Sequence, residues 1–236
     1  MQTMYSAVTA FSGQPQAGDG FFTRLPQEAQ RDLQSIAHST SFPSAFVLFT
    51  EKDPVSAVYI VLDGEVKLSM NSPEGKRLSL HIARKGEVLG LPSALSGRPC
   101  EMTAETLYPA KIAIVRRSEF LNFLTRHPAV YPMVTEELSR NYAMACDQLR
   151  TVALSASAPE KLARLLLEWS ENGQTTEGGT RCRMPLTHGE IGEFIGASRE
   201  TVTRTLSVFK SRHLIAFKGS TLMIPSRAAL AHYAHN

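Results

Sequence analysis

The segment from residue 187 to residue 210 constrains the fold of this chain more than any other part of the sequence. Thr187 and Glu190 match the Ser/Thr-x-x-Glu capping box, which marks the start of a helix. Gly196 permits a tight or left-handed turn, and Ser198 can cap a second helix. The second helix has an apolar face at helical spacing, made of Val202, Leu206 and Phe209. The segment is therefore predicted to form a helix-turn-helix.

The second predicted helix begins with side chains that can read DNA bases. Arg199 and Glu200 open this helix, and Arg204 lies near the same exposed sector. Arginine can clamp guanine through O6 and N7, and glutamate can accept from the amino group of cytosine. In a helix-turn-helix, the N-terminal residues of the second helix contact base edges in the major groove. We therefore predict that Arg199, Glu200 and Arg204 read bases.

Hydroxyl groups and one lysine around these helices are predicted to contact phosphates. Hydroxyls and helix-start amides can hold phosphates without reading sequence. Residues 214–224 are predicted to form a two-stranded wing with a lysine at its turn. The predicted phosphate-contacting residues are Thr187, Ser198, Thr201, Thr203 and Lys218. An ordinary helical hairpin with a basic surface is the alternative interpretation.

The net charge of +3 is concentrated near the same helices. Residues 199–218 contain five Lys and Arg residues against a single acidic residue, Glu200. A local basic patch of this kind predicts a polyanionic partner, nucleic acid first. Charge alone leaves open the alternative of a solvated basic face.

Residues from about 42 to 118 show the period of two that is typical of strands. Strand candidates alternate with turn signals such as Asp63-Gly64. Several short strands separated by Gly and Pro turns predict a small antiparallel barrel or sandwich. Residues 171–180 are predicted to be a turn-rich loop, because the stretch is dominated by Gly, Thr and Glu.

A long helix is predicted from about residue 129 to residue 153, with a mostly apolar stripe. Such a stripe either packs on the barrel of its own chain or pairs with a second copy across a seam. The rest of the chain favours pairing.

Four stretches make the sequence resemble the Crp/Fnr superfamily of bacterial transcription regulators. They are residues 58–66, residues 85–90, the long helix and residues 191–204. The resemblance covers about residues 22–225. It implies that Arg199, Glu200 and Arg204 occupy base-contacting positions that read TGTGA-like half-sites of a palindrome. It also implies that residues 129–153 join two chains in a homodimer.

The resemblance implies an α+β fold with three parts. An N-terminal β-roll of the cyclic-nucleotide-binding type is followed by a long dimerisation helix and a C-terminal winged helix-turn-helix. The predicted boundaries are a flexible tail at 1–21, the β-roll sensor domain at 22–126, the dimerisation helix at 127–153 and the DNA-binding domain at 154–236, with a hinge near 153–158.

The sequence departs from relatives that bind cyclic AMP. In those relatives, a Glu in the turn after the glycine binds the ribose, and this chain has Leu91 there, directly after Gly90. An Arg-Ser pair binds the cyclic phosphate in those relatives, and this chain has Cys100 and Glu101 at those positions. Leucine cannot accept a hydrogen bond, and Glu101 would repel a phosphate. We therefore expect no control by cyclic AMP, with Arg98 as a displaced phosphate ligand being the alternative. The candidate effector-pocket residues are Gly90, Leu91, Arg98, Cys100, Glu101, Ala145 and Cys146.

No cofactor is predicted for the other sensing modes of this superfamily. The N-terminus has no cysteine for an iron–sulfur cluster, and Leu89–Pro92 offers no Cys or His for haem. His81 is expected to be an ordinary strand side chain. The remaining options are an unidentified effector, a thiol switch at Cys100 or Cys146, or constitutive DNA binding.

Two other function classes fit the sequence less well. An enzyme is not predicted, because no Gly-rich phosphate loop, metal-spaced His/Cys set or nucleophile motif is present. A cyclic-nucleotide-binding regulatory protein that acts mainly through protein partners would leave the basic helix without a purpose. Three scattered cysteines fit a reducing cytoplasm, and no run of 18 apolar residues predicts a membrane span. RNA polymerase is an expected partner if the protein activates transcription.

Overall fold

The computed structural model describes residues 20–154, 157–171, 173–184 and 186–233. The chain divides into two compact units. The first comprises the chain up to Gly75 together with Leu80–Met144. The second comprises Lys76–Ser79 together with the chain from Ala145 onward.

Two sequence predictions fall on parts of the chain that the structure does not describe. Residues 1–19 of the predicted tail and residues 155–156 of the predicted hinge lie outside the described residues. The domain boundaries at 21/22, 126/127 and 153/154 stay predictions.

Eight short strands run through residues 38–116 of the described chain. They are β1 (His38–Phe42), β2 (Val47–Phe49), β3 (Ala57–Asp63), β4 (Val66–Asn71), β5 (Arg77–Ala83), β6 (Val88–Leu89), β7 (Thr103–Thr106) and β8 (Ala110–Arg116). One sheet has the order β1-β8-β3-β6, and the other has the order β2-β7-β4-β5. The pairs β1–β8, β3–β8, β3–β6, β2–β7 and β4–β7 are antiparallel. This arrangement confirms the predicted β-roll.

Four helices flank the strands along the chain. They are α1 (Gln27–Ile36), α2 (Leu91–Ser96), α3 (Arg117–Arg126) and α4 (Tyr131–Leu149). A 3-10 turn at Pro128–Val130 precedes α4, and the backbone continues with π-helical geometry over Arg150–Leu154. The long helix predicted at about 129–153 is therefore confirmed. None of the described helices is long and apolar enough to cross a membrane.

β3 is apolar on both faces because both faces of its sheet are covered. Val58 and Ile60 belong to one core, which also holds Phe120 of α3. The alternate residue Val61 faces a second core between the two sheets, where Ile112 of β8 also lies. A strand that is buried on both sides shows a continuous apolar run, as this one does in the sequence.

The second unit is a winged helix-turn-helix. Its elements are α5 (Ala158–Trp169), β9 (Gln174–Thr176), β10 (Gly179–Arg183), α6 (His188–Ile195), α7 (Arg199–Ser211), β11 (Ala216–Lys218), β12 (Thr221–Ile224) and α8 (Arg227–Tyr233). The strands form one antiparallel sheet in the order β11-β12-β10-β9. The predicted helix-turn-helix and the predicted wing, β11 and β12, are confirmed.

The prediction of a turn-rich loop at 171–180 is wrong, because β9 and the first two residues of β10 form a hairpin there. β9 is a short edge strand with polar, exposed residues, so it has no apolar alternation for the sequence to reveal. The hairpin is anchored at its far end, where the indole Nε1 of Trp169 donates to the Arg183 carbonyl oxygen at 2.7 Å.

Candidate nucleic-acid interface

The start of α6 is a closed capping box, as the sequence predicted. The Thr187 hydroxyl accepts from the Glu190 amide at 3.2 Å, and the Glu190 carboxylate accepts from the Thr187 amide at 2.8 Å. Gly196 ends the helix in the left-handed conformation, with φ of +63°. These two ends fix the length of α6 and the turn that leads into α7.

The start of α7 is capped by Ser198. The Ser198 hydroxyl accepts from the Thr201 amide at 3.2 Å and lies 3.2 Å from the Thr201 hydroxyl. The cap satisfies one of the amides that a helix start leaves without a partner within the helix. Contact of Thr187, Ser198 and Thr201 with DNA phosphates stays a prediction.

α7 buries one side and exposes the other. Val202, Leu206 and Phe209 are at most 2% exposed. The three predicted base-reading residues, in contrast, are all exposed. The guanidinium groups of Arg199 and Arg204 form no hydrogen bond or ion pair with any residue that the structure describes. The predicted base-reading residues Arg199, Glu200 and Arg204 therefore all lie on the exposed part of α7, and base reading by them stays a prediction.

Glu200 is held as a carboxylate at the start of α7. Hydrogen bonds from its own backbone amide and from the Ser198 hydroxyl lower the pKa of Glu200, and the charge of Arg199 lowers it further. An ionised carboxylate accepts hydrogen bonds and donates none. This is the state that acceptance from a cytosine amino group requires.

His188 is a functional candidate that the sequence analysis missed. Its Nδ1 lies 2.7 Å from the Thr203 hydroxyl, and that hydroxyl lies 2.9 Å from the Arg199 carbonyl oxygen, to which it donates. Because the single hydroxyl proton points to Arg199, the geometry requires Nδ1 of His188 to donate to Thr203. The chain of contacts ties the first turn of α6 to the first turn of α7.

His188 also lines an open cleft of about 460 Å³ at the starts of both helices. The other lining residues are Thr187, Gly189 and Arg199. No sequence signal pairs His188 with Thr203, since they meet only because α6 and α7 cross. Thr203, predicted to contact phosphate, here uses its hydroxyl within the protein.

The basic stretch at 199–218 separates into two groups. Lys210 lies over the Phe217 ring at 5.1 Å, and Arg212 lies over the Tyr233 ring at 5.6 Å. Both therefore hold the unit together through cation–π contacts. Lys218 is exposed at the end of β11, directly before the wing turn, and has no hydrogen bond or ion pair with the described residues. The cations open to a ligand in this stretch are Arg199, Arg204 and Lys218.

The predicted effector residues Gly90 and Leu91 lie where β6 passes into α2. Gly90 has φ of +74° and precedes the helix. Leu91 opens α2 and is fully buried in the core that contains Phe120 of α3. A leucine enclosed in this way offers no acceptor for a ribose hydroxyl.

Cys100 and Glu101 lie in an environment that disfavours a phosphate. Burial raises the pKa of the Cys100 thiol, and the carboxylates of Asp53 and Glu101 raise it further. The same negative charges would repel an anion. Arg98 is exposed. The residues present therefore do not fit a cyclic nucleotide at these positions.

The other two candidate effector residues lie on α4. Ala145 is exposed and Cys146 is half-buried. His81, as expected, is a strand side chain of β5, and its Nε2 lies 2.6 Å from a Glu87 carboxylate oxygen. Among the described residues, no group of three His, Cys, Asp or Glu side chains could hold a metal ion.

Two family models match the chain. A cyclic nucleotide-binding domain matches residues 39–127, and a Crp-like helix-turn-helix domain matches residues 160–233. The two matches fall on the β-roll and on the winged helix-turn-helix.

Similar proteins extend over almost the whole chain. A CRP-like cAMP-activated global transcriptional regulator of Mycobacterium tuberculosis is 26% identical over 216 residues, which are 91% of this chain and 96% of that protein. The nitrogen fixation regulation protein FixK of Bradyrhizobium diazoefficiens is 27% identical over 200 residues, 84% of this chain and 83% of that protein.

A solved structure has the same fold. FixK2 from Bradyrhizobium japonicum superposes with a TM-score of 0.75 at 22% identity, covering 85% of this chain and 98% of that chain. The β-roll, the long helix, the exposed face of α7 and these matches agree with one another. The chain is a DNA-binding transcription regulator of the Crp/Fnr type.

Proposed function

We propose that the protein is a homodimer that reads a two-fold symmetric DNA site through Arg199, Glu200 and Arg204. The observation that supports the proposal is that these three side chains are exposed on α7, while Val202, Leu206 and Phe209 of the same helix are buried. Arginine pairs with guanine and glutamate with the amino group of cytosine, so the set suits a G·C-containing half-site. By resemblance, the half-sites are TGTGA-like.

An exposed stripe on α4 supports the homodimer. Positions spaced alternately by four and three residues form the stripe; Tyr131, Thr135, Tyr142, Ala145 and Leu149 are exposed, and Leu138 is half-buried against the β-roll core. Tyr142 is 74% exposed and Leu149 is 66% exposed, although both are large and apolar. Val134, which lies off the stripe, is buried in the core of the β-roll. A heptad-like stripe left open in one chain is typical of a helix that pairs with a second copy.

Oligomeric state tests this part of the proposal directly. Leu149→Glu places a charge in the stripe and is expected to give monomers at micromolar concentration by light scattering. Ser139→Glu adds the same charge to an exposed position of α4 outside the stripe and is expected to stay dimeric. A monomeric wild-type protein at the same concentration would contradict the homodimer.

We propose further that DNA binding needs no cyclic nucleotide. Buried Leu91 and the negative surroundings of Cys100 support this, because they remove the acceptor and the cation that a ribose and a cyclic phosphate need. The effector is then a different molecule or a thiol reaction, or DNA binding is constitutive. An activator would also contact RNA polymerase, and the role places the protein in the bacterial cytoplasm with the DNA.

Fluorescence anisotropy tests the whole proposal. A duplex with two TGTGA-type halves is compared with a scrambled duplex of the same composition, with and without cyclic AMP. We expect selective binding without nucleotide and no change when it is added. Selective binding only with cyclic AMP would show that the roll binds the nucleotide. If neither duplex is preferred, selection from random sequences decides whether another half-site is read.

The alternative function is a cyclic-nucleotide-binding regulatory protein that acts mainly through protein partners. The match of residues 39–127 to a cyclic nucleotide-binding domain is the observation that favours it. It predicts cyclic nucleotide binding by calorimetry together with no sequence preference after selection on random DNA.

A further inference from the structure

One face of the sheet in the second unit carries a row of cations. Residues that pair directly across antiparallel strands lie on the same face of a sheet. Thr221 of β12 pairs with Lys218 of β11 on one side and with Arg183 of β10 on the other. Lys218, Thr221 and Arg183 therefore form one row across three strands.

The next row on this face adds a third cation. Met223 pairs with Ala216 and Arg181, and Arg181 pairs in turn with Gln174 of β9. None of these paired residues is acidic, so the face carries three positive charges and no negative one among them. We call the face formed by these two rows the sheet face; it comprises Ala216, Lys218, Thr221, Met223, Arg181, Arg183 and Gln174.

The sheet face is open to solvent. Lys218, Arg183 and Arg181 are all exposed. The alternate residues of the same strands point to the other side, where Leu222 and Ile224 are fully buried. The burial pattern agrees with the strand register, so the cations lie on the outer side of the sheet.

The spacing of the cations suits a nucleic-acid backbone. Neighbouring strands lie about 4.8 Å apart, so Lys218 and Arg183 are separated by roughly 10 Å, and Arg181 lies about 7 Å further along its strand. Duplex DNA carries one phosphate charge per about 1.7 Å of axis, or about six over 10 Å. Lysine and arginine bind phosphates without regard to base sequence.

The strand that opens the sheet face follows the helix proposed to read DNA closely along the chain. α7 ends at Ser211 and β11 begins at Ala216, so the first strand of the sheet directly follows the helix. Lys218, at the end of that strand, is already a proposed phosphate contact. Arg183 extends the same row across β12 to β10.

We propose that Arg181 and Arg183, in line with Lys218, bind the DNA backbone beyond the bases that α7 reads. The inference rests on the proposed function and deepens it, because it assigns a flank-binding surface to the same DNA site. A protein surface of RNA polymerase is the competing partner class, and the test separates the two.

The test measures anisotropy on two duplexes with the same half-sites. One duplex ends at the half-sites, and the other extends about ten base pairs beyond each of them. We expect the wild-type protein to bind the long duplex at least tenfold more tightly at 100 mM salt. R181A/R183A is expected to lose this gain while binding the short duplex within twofold of wild type. In a dimer, R181A/R183A removes four phosphate contacts. The slope of the logarithm of the binding constant against the logarithm of salt concentration should therefore become less steep by about 3 to 4 on the long duplex.

Two matched variants control for charge and folding. R181K/R183K keeps the charges and is expected to keep most of the gain from flanking DNA, since a phosphate accepts a point charge. K85A/R116A removes two exposed cations of the β-roll and is expected to behave as wild type. Unchanged binding of the short duplex by R181A/R183A shows that its helix-turn-helix is folded.

The outcomes distinguish three cases: no sequence-specific DNA binding, sequence-specific binding without flank contacts, and contact of the sheet face with RNA polymerase. If wild type prefers no duplex, even after selection on random DNA, the proposed function fails. If wild type is selective but gains nothing from the flanks, or R181A/R183A keeps the gain, the inference is overturned. If R181A/R183A keeps its DNA affinity but loses promoter-dependent transcription with RNA polymerase, the sheet face contacts protein instead.

Discussion

The start of α7 and the stretch from Gly90 to Glu101 are the two places where resemblance to Crp/Fnr regulators would put DNA recognition and effector recognition. At α7, Arg199 and Arg204 are exposed and have no partners among the described residues. In the roll, Leu91 is buried in the core, and burial together with nearby carboxylates raises the pKa of the Cys100 thiol. The first region presents charged groups to solvent, whereas in the second region Leu91 and Cys100 are buried in the protein. Substitutions should therefore affect DNA binding at one region and folding at the other.

The largest effect is expected from Leu91→Glu, which restores the carboxylate of cyclic AMP-binding relatives. A carboxylate buried without a partner costs stability, here about 4 kcal/mol of unfolding free energy. Urea unfolding followed by circular dichroism measures the loss. Leu91→Met keeps the volume and is the control, with an expected loss below about 1.5 kcal/mol. A stable Leu91→Glu protein that binds cyclic AMP would show that the position is open to a ligand.

Arg199→Ala and Arg204→Ala should each lower the binding free energy for the selected site by about 1–3 kcal/mol relative to other duplexes, so that the protein becomes less selective. Competition between duplexes that differ at one base pair measures the change. The unfolding free energy should stay within about 0.5 kcal/mol, because both side chains are exposed. Lys85→Ala, in the roll, serves as the control for charge. Intact site discrimination in Arg199→Ala would rule out base reading by this residue.

A smaller effect is expected from breaking the contact between His188 and Thr203. Loss of one hydrogen bond costs about 1 kcal/mol of unfolding free energy. His188→Ala, Thr203→Val and the double variant form a cycle, and the two single losses should not add. Site discrimination should also fall in both single variants, because Arg199 lies at the end of this chain of contacts. Additive losses would mean that the two residues do not act together.

The smallest effect concerns the pH dependence of Cys100. Since burial and carboxylates raise the pKa of this thiol, its neutral form is favoured in the folded state. The stability that this group contributes is full below the pKa of the unfolded thiol, near 9.0, and is lost as pH rises through the higher folded value. Iodoacetamide should therefore label Cys100 more slowly at pH 8 in the folded protein than in guanidinium. Equal rates would mean that the thiol is accessible and unperturbed.

Local sequence patterns predicted the helix-turn-helix because its signals act over a few residues. The Thr187–Glu190 capping box, the turn at Gly196 and the Ser198 cap satisfy backbone groups within one turn of helix. They identify the same boundaries in the sequence and in the structure. The β9–β10 hairpin escaped prediction because β9 is an edge strand of polar residues that is held by pairing with β10, not by its own pattern.

The apolar residues of the long helix show that a sequence pattern does not distinguish residues buried in their own chain from residues left exposed. Val134 packs on the β-roll, whereas Tyr142 and Leu149 stay exposed on the same helix. Both kinds of residue look alike in the sequence, because helical periodicity reports that a face is apolar and not what covers it.

The sequence by itself determined the kind of most elements, the resemblance to Crp/Fnr regulators and the prediction that Arg199, Glu200 and Arg204 read bases. These follow from signals between residues that are close along the chain. Only the tertiary structure decided that His188 meets Thr203, that Leu91 is enclosed in the core, and that Lys218 aligns with Arg183. Each of these depends on helix crossing, core packing or strand register, which bring together residues that no local pattern relates.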